Sequence, residues 1–413
     1  MNTEYSAGLG AKLAAWPEVH SVRRPVAPAV HREFDLHYVR TGPRTDRPVL
    51  VIPGGPGPAS VVPYRSLRAD ATALGLDVLM VEHRGVGLSR QDDDGIDLPL
   101  DALTIDQVVE DLAAVLDDCG VGQAVVCGSS YGAYLAQGLA VRHPERIAAM
   151  VLDSPVLSAH DPDTVGEYLR RLFWEGEEPH TADIARKLRR LVAEGVVELE
   201  EIVTVVQVAY AFGGIQPLGR LLDLLCSGRG RRTWRWLARL GVWKAERFKR
   251  YAMEFDLVGA IAFRELGLCP APDGRAFDPN LPFAELAERF PPFEGEPYDL
   301  QSALPGFNWP TVVISGEWDL RTPRPIAELI VESLPDGVLV PLTGIGHSIL
   351  DSHPLAFLHA ADAVLRGHHR RLPALAGSLS DDLPRRGPHR LLRRIFDVRL
   401  AAEHLLPRLR GDL

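Results

Sequence analysis

The segment Gly128-Ser129-Ser130-Tyr131-Gly132 constrains this chain more than any other. It reads G-x-S-x-G and stands between a short apolar, β-branched run, Ala124-Val125-Val126-Cys127, and a stretch from Ala133 to Val141 rich in Ala, Leu and Gln. The first run favours a strand and the second a helix. In that setting a serine is lifted on a cramped strand-to-helix turn, an elbow, above the edge of a sheet, and the flanking glycines are needed because a side chain would strike the neighbouring strand or helix. The helix that begins there aims free N–H groups at the same point, so the amide of Tyr131 can donate to a developing oxyanion. Ser130 is therefore the candidate nucleophile. The motif taken alone also fits an ordinary glycine-rich turn.

From Glu33 onward, strand-like and helix-like runs alternate, the signature of an α/β sheet with helices on both faces. Strands are expected at Glu33 to Arg40, Pro48 to Ile52, Asp77 to Glu82, the run before the elbow, Ile147 to Leu152, Thr311 to Ser315 and Val338 to Leu342. Helices are expected at Thr104 to Cys119, with Thr104 as N-cap, after the elbow, and at Pro325 to Ser333 and Pro354 to Arg366. Between Ser158 and about Asn308 the pattern is helical, broken at Pro270-Ala-Pro and Phe290-Pro-Pro, and holds no convincing strand. The expected organisation is a sheet in two parts, residues 1–157 and 309–367, with residues 158–308 inserted as a helical cap.

Residues 368–413 differ in kind, with ten arginines against five acidic residues, while the whole chain carries a net charge of −10. Within this basic extension, Arg390 to Leu406 fits an amphipathic helix docked on the acidic body, with membrane-surface or partner binding as the other reading. A similar patch, Arg229 to Arg250, mixes cations with Trp234, Trp236 and Trp243 and is expected to be a cap helix whose tryptophans pack inward.

A net negative charge argues against a nucleic-acid partner. No run approaches the roughly 18 apolar residues of a membrane helix, and residues 1–16 lack a basic stretch followed by an apolar one, so the chain reads as cytoplasmic without stable membrane insertion. Cys119, Cys127, Cys226 and Cys269 are scattered, which suggests neither a disulfide framework nor a zinc site. Oligomeric state is not legible.

A serine hydroxyl needs a base to take its proton and an acid to orient that base. On sheets of this kind both follow the serine in chain order, in loops at strand ends. Gly316-Glu317-Trp318-Asp319 follows the strand at Thr311, and Gly344-Ile345-Gly346-His347 follows the strand at Val338. Asp319 is the expected acid and His347 the expected base. Asp153 and Glu317 compete for the acid role; His353, before a proline, and His143, at a helix end, compete less well for the base. A second oxyanion donor is expected from Pro53-Gly54-Gly55-Pro56-Gly57, which closes the first central strand.

Together, Gly54-Gly55-Pro56-Gly57, His83-Arg84-Gly85-Val86-Gly87-Leu88-Ser89, the elbow, His143-Pro144-Glu145-Arg146 and the loops of Asp319 and His347 resemble the proline iminopeptidase and tripeptidyl aminopeptidase-like family of α/β-hydrolases. The resemblance covers about Glu33 to Asp153 and Pro310 to Arg366. It implies the α/β-hydrolase fold, a triad of Ser130, Asp319 and His347, and an oxyanion hole from the amides of Gly55 and Tyr131. This chain departs from the family in having Pro53 where a histidine is usual, and Glu82-His83 where a Gln or Asp-Gln pair is usual. The resemblance also implies cap glutamates that bind a substrate's free amine, for which Glu175, Glu254 and Glu265 are the candidates. The expected activity is an aminopeptidase on short peptides working through an acyl-enzyme, with no metal or organic cofactor. An esterase, lactonase or amide hydrolase of small metabolites is the alternative, and a binding protein with an idle triad a more distant one.

Overall fold

Val49, Val51, Val125 and Cys127 pack on one face of a sheet, and Leu50, Ile52, Ala124 and Val126 on the other. Successive residues of a strand point to opposite faces, so strands that are apolar at every position need helices on both sides. That arrangement is seen in the computed structural model, which describes residues 3–28, 31–246, 248–268, 272–385 and 388–405. Cys269 and Pro270, the side chain of Trp243 and the end of the extension lie outside what is described.

Among the described residues, eight strands form one sheet: β1 (Val19–Pro25), β2 (Glu33–Thr41), β3 (Val49–Ile52), β4 (Val78–Val81), β5 (Ala124–Ser129), β6 (Ile147–Asp153), β7 (Thr311–Gly316) and β8 (Gly337–Leu342). Their spatial order is β1-β2-β4-β3-β5-β6-β7-β8. β2 runs antiparallel to both β1 and β4, and every other pairing is parallel. β3 and β5 pair with Ile52 opposite Gly128, which brings the loop after β3 beside the elbow.

The expected strands are all present, and β1 is an addition. Its sequence, Val19-His20-Ser21-Val22-Arg23-Arg24-Pro25, is half polar, and it lies at the sheet edge with alternate residues turned outward. Its pairing with β2 supplies the order that its own side chains do not announce.

Thr104 caps the helix Ile105–Asp118 by accepting from the amide of Gln107 at 3.2 Å. Between β6 and β7 the described residues form helices and turns but no strand; the longer helices are Asp161–Arg170, Ala182–Ala193, Leu199–Gly213, Ile215–Cys226, Arg231–Glu246 and Phe255–Arg264. Trp234 in this insertion is buried and donates its indole N–H to Glu201 at 2.6 Å. The extension forms a short helix, Ala376–Asp381, and a long one, Pro388–Leu405. Among the described residues no helix is long and apolar enough to cross a membrane, and Cys119, Cys127 and Cys226 are free thiols.

Candidate active site

The elbow follows from crowding at two glycines. A β-carbon on Gly128 would collide with the carbonyl oxygen of Gly132 and lie 2.7 Å from the Cα of Ala133, while one on Gly132 would lie 2.5 Å from the carbonyl oxygen of Pro53. Only glycine lets β5, β3 and the following helix, Tyr131–Arg142, approach this closely. Ser130 between them adopts φ 53° and ψ −118°, a conformation uncommon for a residue with a side chain and held here by the packed elements on either side. Its amide donates to the Asp153 carbonyl at 2.8 Å.

Three loops at the same sheet edge bring Ser130, His347 and Asp319 into one line. The Oγ of Ser130 is 3.0 Å from Nε2 of His347. On the other side of the ring, Nδ1 is 3.0 Å from Oδ2 and 3.1 Å from Oδ1 of Asp319. A carboxylate at Nδ1 fixes the proton there and leaves the lone pair of Nε2 facing the serine hydroxyl. Asp319 is itself held by the amides of Arg321 (2.9 Å) and Thr322 (3.1 Å) and the Thr322 hydroxyl (2.9 Å). Burial alone would raise its pKa, but the charge and hydrogen bond of His347, with the Thr322 and Arg321 amides, outweigh it and keep the carboxyl below its ordinary range.

The rival acids and bases have other partners. Asp153 is fully buried at the end of β6, where Oδ2 accepts from the Ser129 hydroxyl (2.6 Å) and the Leu350 amide, and Oδ1 from the Ile349 amide, both amides at 3.1 Å. It anchors the chain just after His347 rather than touching the ring nitrogens. Glu317 accepts from the Gly344 amide at 2.7 Å, in the same loop but on its far side. His143 pairs with Glu110, and His353 is buried beneath the extension.

Tyr131 opens the elbow helix, so its amide has no acceptor within the helix. The loop after β3 meets Ser130 at Gly54, where a β-carbon would sit 3.3 Å from the Cβ of Ser130. Gly55 is the outermost, exposed residue of that loop, with φ +133°. Beneath it lies a cavity of about 30 Å³ lined by Pro53, Gly54, His83 and Tyr131. His83 donates from Nδ1 to the Arg84 carbonyl (2.5 Å), so Nε2 accepts from the Tyr131 hydroxyl (3.1 Å). Burial lowers the pKa of His83 to about 4. Glu82, also buried, accepts from the amides of Ser60 (2.5 Å), Val61 (2.9 Å) and Leu88 (3.2 Å), joining the chain beyond the glycine loop to the turn after β4.

Of the three cap glutamates expected to hold an ammonium group, two are bonded to the protein's own donors and the third is exposed. Glu254 is fully buried, and its oxygens accept from the amides of Tyr251 (2.6 Å) and Gly87 (3.2 Å) and from Arg250 (2.6 Å) and Arg90 (3.1 Å). A carboxylate so surrounded by the protein's own donors has no free lone pair for a substrate cation. Glu265 accepts from the Ile105 amide at 2.7 Å and from Arg264 at 2.8 Å, tying the insertion to the start of a sheet helix. Glu175 is exposed at the end of a single π-helical turn, Arg171–Glu175. A local sequence match could not reveal these partners, because every one except Arg250, Tyr251 and Arg264 is distant in the chain.

The insertion reaches the site by a route the sequence did not signal. The helix Leu199–Gly213 packs on both late loops: a β-carbon on Gly346 would lie 3.2 Å from the Cβ of Ala211, and one on Gly214 would lie 2.8 Å from the Trp318 ring. Among the described residues no cluster of three or more His, Cys, Asp or Glu side chains could hold a metal ion.

Residues 47–178 match a family model described as alpha/beta hydrolase fold. Over 168 residues the chain is 25% identical to proline iminopeptidase of Heyndrickxia coagulans, covering 39% of this chain and 51% of that protein. Over 163 residues it is 31% identical to 2-hydroxymuconate semialdehyde hydrolase of Pseudomonas putida, covering 37% and 52%. The chain thus spans about half the length of these two curated relatives. The crystal structure of proline iminopeptidase of Mycobacterium smegmatis aligns with a TM-score of 0.49 at 18% identity, covering 85% of this chain and 99% of that one.

Proposed function

We propose, from the premise that this chain is an α/β-hydrolase, that it is a serine hydrolase in which Ser130 attacks an acyl carbon, His347 moves the proton and Asp319 orients and stabilises the imidazole. The observation that carries this reading is the unbroken line from Asp319 through His347 to Ser130, with 3.0 Å at each step. Attack transfers the serine proton to Nε2 and places negative charge on the substrate oxygen, which the amides of Tyr131 and Gly55 receive. Collapse of that intermediate expels the leaving group, which takes the proton from His347 and leaves an ester on Ser130. Water, deprotonated by the same ring, then releases the acid.

The substrate class is small acyl compounds, esters or amides, bound beneath the helical insertion of residues 158–308 acting as a cap. Similarity to proline iminopeptidase of Heyndrickxia coagulans favours a second reading, an aminopeptidase on N-terminal residues. Against Glu254 as its ammonium ligand stands the filling of its acceptor positions by four protein donors, while Glu265 is already held by the Ile105 amide and Arg264.

Steady-state turnover on paired aminoacyl anilides and short-chain aryl esters separates the two. Free-amine anilides as the better substrates select the aminopeptidase, and turnover of esters alone selects the esterase. Ser130→Ala should lower kcat by about 10⁴–10⁶-fold, and a fluorophosphonate should label Ser130. A variant retaining more than about a hundredth of wild-type activity would remove Ser130 as nucleophile.

A further inference from the structure

The loop that carries His347 leaves β8 at Leu342 and passes through Thr343, Gly344, Ile345 and Gly346. Three of its polar groups are held by the basic extension, the weakest being the Thr343 carbonyl, which accepts from Nη2 of Arg385 at 3.5 Å. The Thr343 amide donates to the Ser380 hydroxyl at 3.0 Å, and the Gly344 carbonyl accepts from Nη1 of Arg385 at 2.8 Å. Arg385 in turn donates to the Ser380 carbonyl at 3.0 Å, so the two residues form one clamp. Gly344 lies at φ +62°, and its amide is taken by Glu317. The bend three residues before the base is therefore held from the acid loop on one side and from the extension on the other.

The same extension continues to the acid loop and to the insertion. The guanidinium of Arg393 lies 5.8 Å from the centre of the Trp318 ring, whose residue precedes Asp319. Further along the helix Pro388–Leu405, Phe396 is completely buried with its ring centroid 6.4 Å from that of Trp236, and Arg399 stacks over the same indole at 4.8 Å. Glu403 accepts from the amides of Gly230 (3.1 Å) and Thr233 (3.0 Å) and the Thr233 hydroxyl (3.0 Å), capping the helix Arg231–Glu246. Asp397 pairs with Arg220 at 2.9 Å.

We infer that residues 368–385 and 388–405 are a positioning arm of the active site: Arg385 and Ser380 set the position of His347, and the long helix locks that setting to the inserted helices Ile215–Cys226 and Arg231–Glu246. The physical reason is that catalytic side chains must be held to within a fraction of an ångström, and a glycine-rich loop cannot hold itself. Among the described residues, nothing in the arm touches the reacting atoms. Its residues act through the loop, and the inference rests on the serine hydrolase reading only for its kinetic consequence.

The test uses the full-length chain and the variants Arg385→Ala, Arg385→Lys and Ser380→Ala. Arg385→Ala should lower kcat on the best aryl ester by about tenfold or more while KM stays within about twofold, because binding groups are untouched and base placement is not. Arg385→Lys, which still offers a donor to the Gly344 carbonyl, should recover most of the loss. Ser380→Ala should fall in the same direction by a smaller factor and removes too little to threaten folding. Independently of any substrate, amide hydrogen exchange in the peptide holding Gly344 to His347 should quicken in Arg385→Ala. Wild-type exchange and wild-type kcat in Arg385→Ala would overturn the arm. A loss in Arg385→Lys equal to that in Arg385→Ala, or a rise in KM alone, would also overturn it. If the wild-type protein hydrolyses nothing and Ser130 resists the fluorophosphonate, the serine hydrolase reading fails. The exchange measurement still decides whether the arm holds the loop.

Discussion

Gln207 donates its side-chain amide to the carbonyl oxygen of Leu320 at 2.9 Å, one residue beyond Asp319. Gln207 lies on the helix Leu199–Gly213, between β6 and β7, and Leu320 lies on the acid loop, so an inserted helix braces that loop one residue past the acid of the candidate triad. Gln207→Leu leaves that carbonyl without its donor, a defect of about 1–3 kcal/mol where a buried group finds no replacement. Acylation of Ser130 by a fluorophosphonate should slow by a few-fold while the variant remains folded by circular dichroism. An unchanged labelling rate would show that the brace is structural only.

Asp319→Asn and Asp153→Asn should give opposite phenotypes. The first should slow acylation by roughly 10²–10⁴-fold, since an amide cannot hold the imidazole in the required tautomer or stabilise its cation. The second places an amide donor against the amides of Ile349 and Leu350 and should cost about 1–3 kcal/mol of stability, with a smaller loss of rate. Denaturant unfolding and single-turnover labelling on both variants check this; exchanged phenotypes would move the acid to β6.

His83 should make the fold sensitive to mild acid. Its pKa is lowered by burial to about 4 in the folded chain, against about 6.5 when unfolded. Between those values the unfolded state binds more protons, so its contribution is complete above about pH 6.5 and is lost as the pH falls toward 4, by at most roughly 3 kcal/mol. His83→Gln should shrink the difference in unfolding free energy between pH 7.5 and pH 5. An undiminished difference would mean that other groups carry it.

Glu254→Gln should destabilise rather than alter specificity. The substitution weakens buried pairs with Arg90 and Arg250, and disrupting such pairs costs about 3 kcal/mol or more. Aminoacyl anilides and aryl esters should lose kcat/KM in equal proportion. A loss of tenfold or more confined to free-amine substrates would return Glu254 to the ammonium site.

The sheet and the line of the candidate triad were legible because each rests on a local pattern. Apolar runs of three to six residues mark β3 to β7, and the crowded turn around Ser130 can be built only with glycines on both sides. Asp319 and His347 could be named because each follows the end of an apolar strand, and parallel strands deliver their following loops to one edge. β1 escaped notice because an edge strand half exposed to water needs no apolar pattern. The fate of the cap glutamates was decided by tertiary structure. A carboxylate reads the same in sequence whether it awaits a ligand or is saturated, and Arg90 and Gly87 reach Glu254 from more than 160 residues away. Asp153, Gln207, Ser380 and Arg385 likewise owe their places to loops that meet only after folding. The sequence by itself determined which chemistry is available at the elbow. The packing of remote segments decided which polar groups remain free to use it, because hydrogen-bond partners are assigned by position in space and not along the chain.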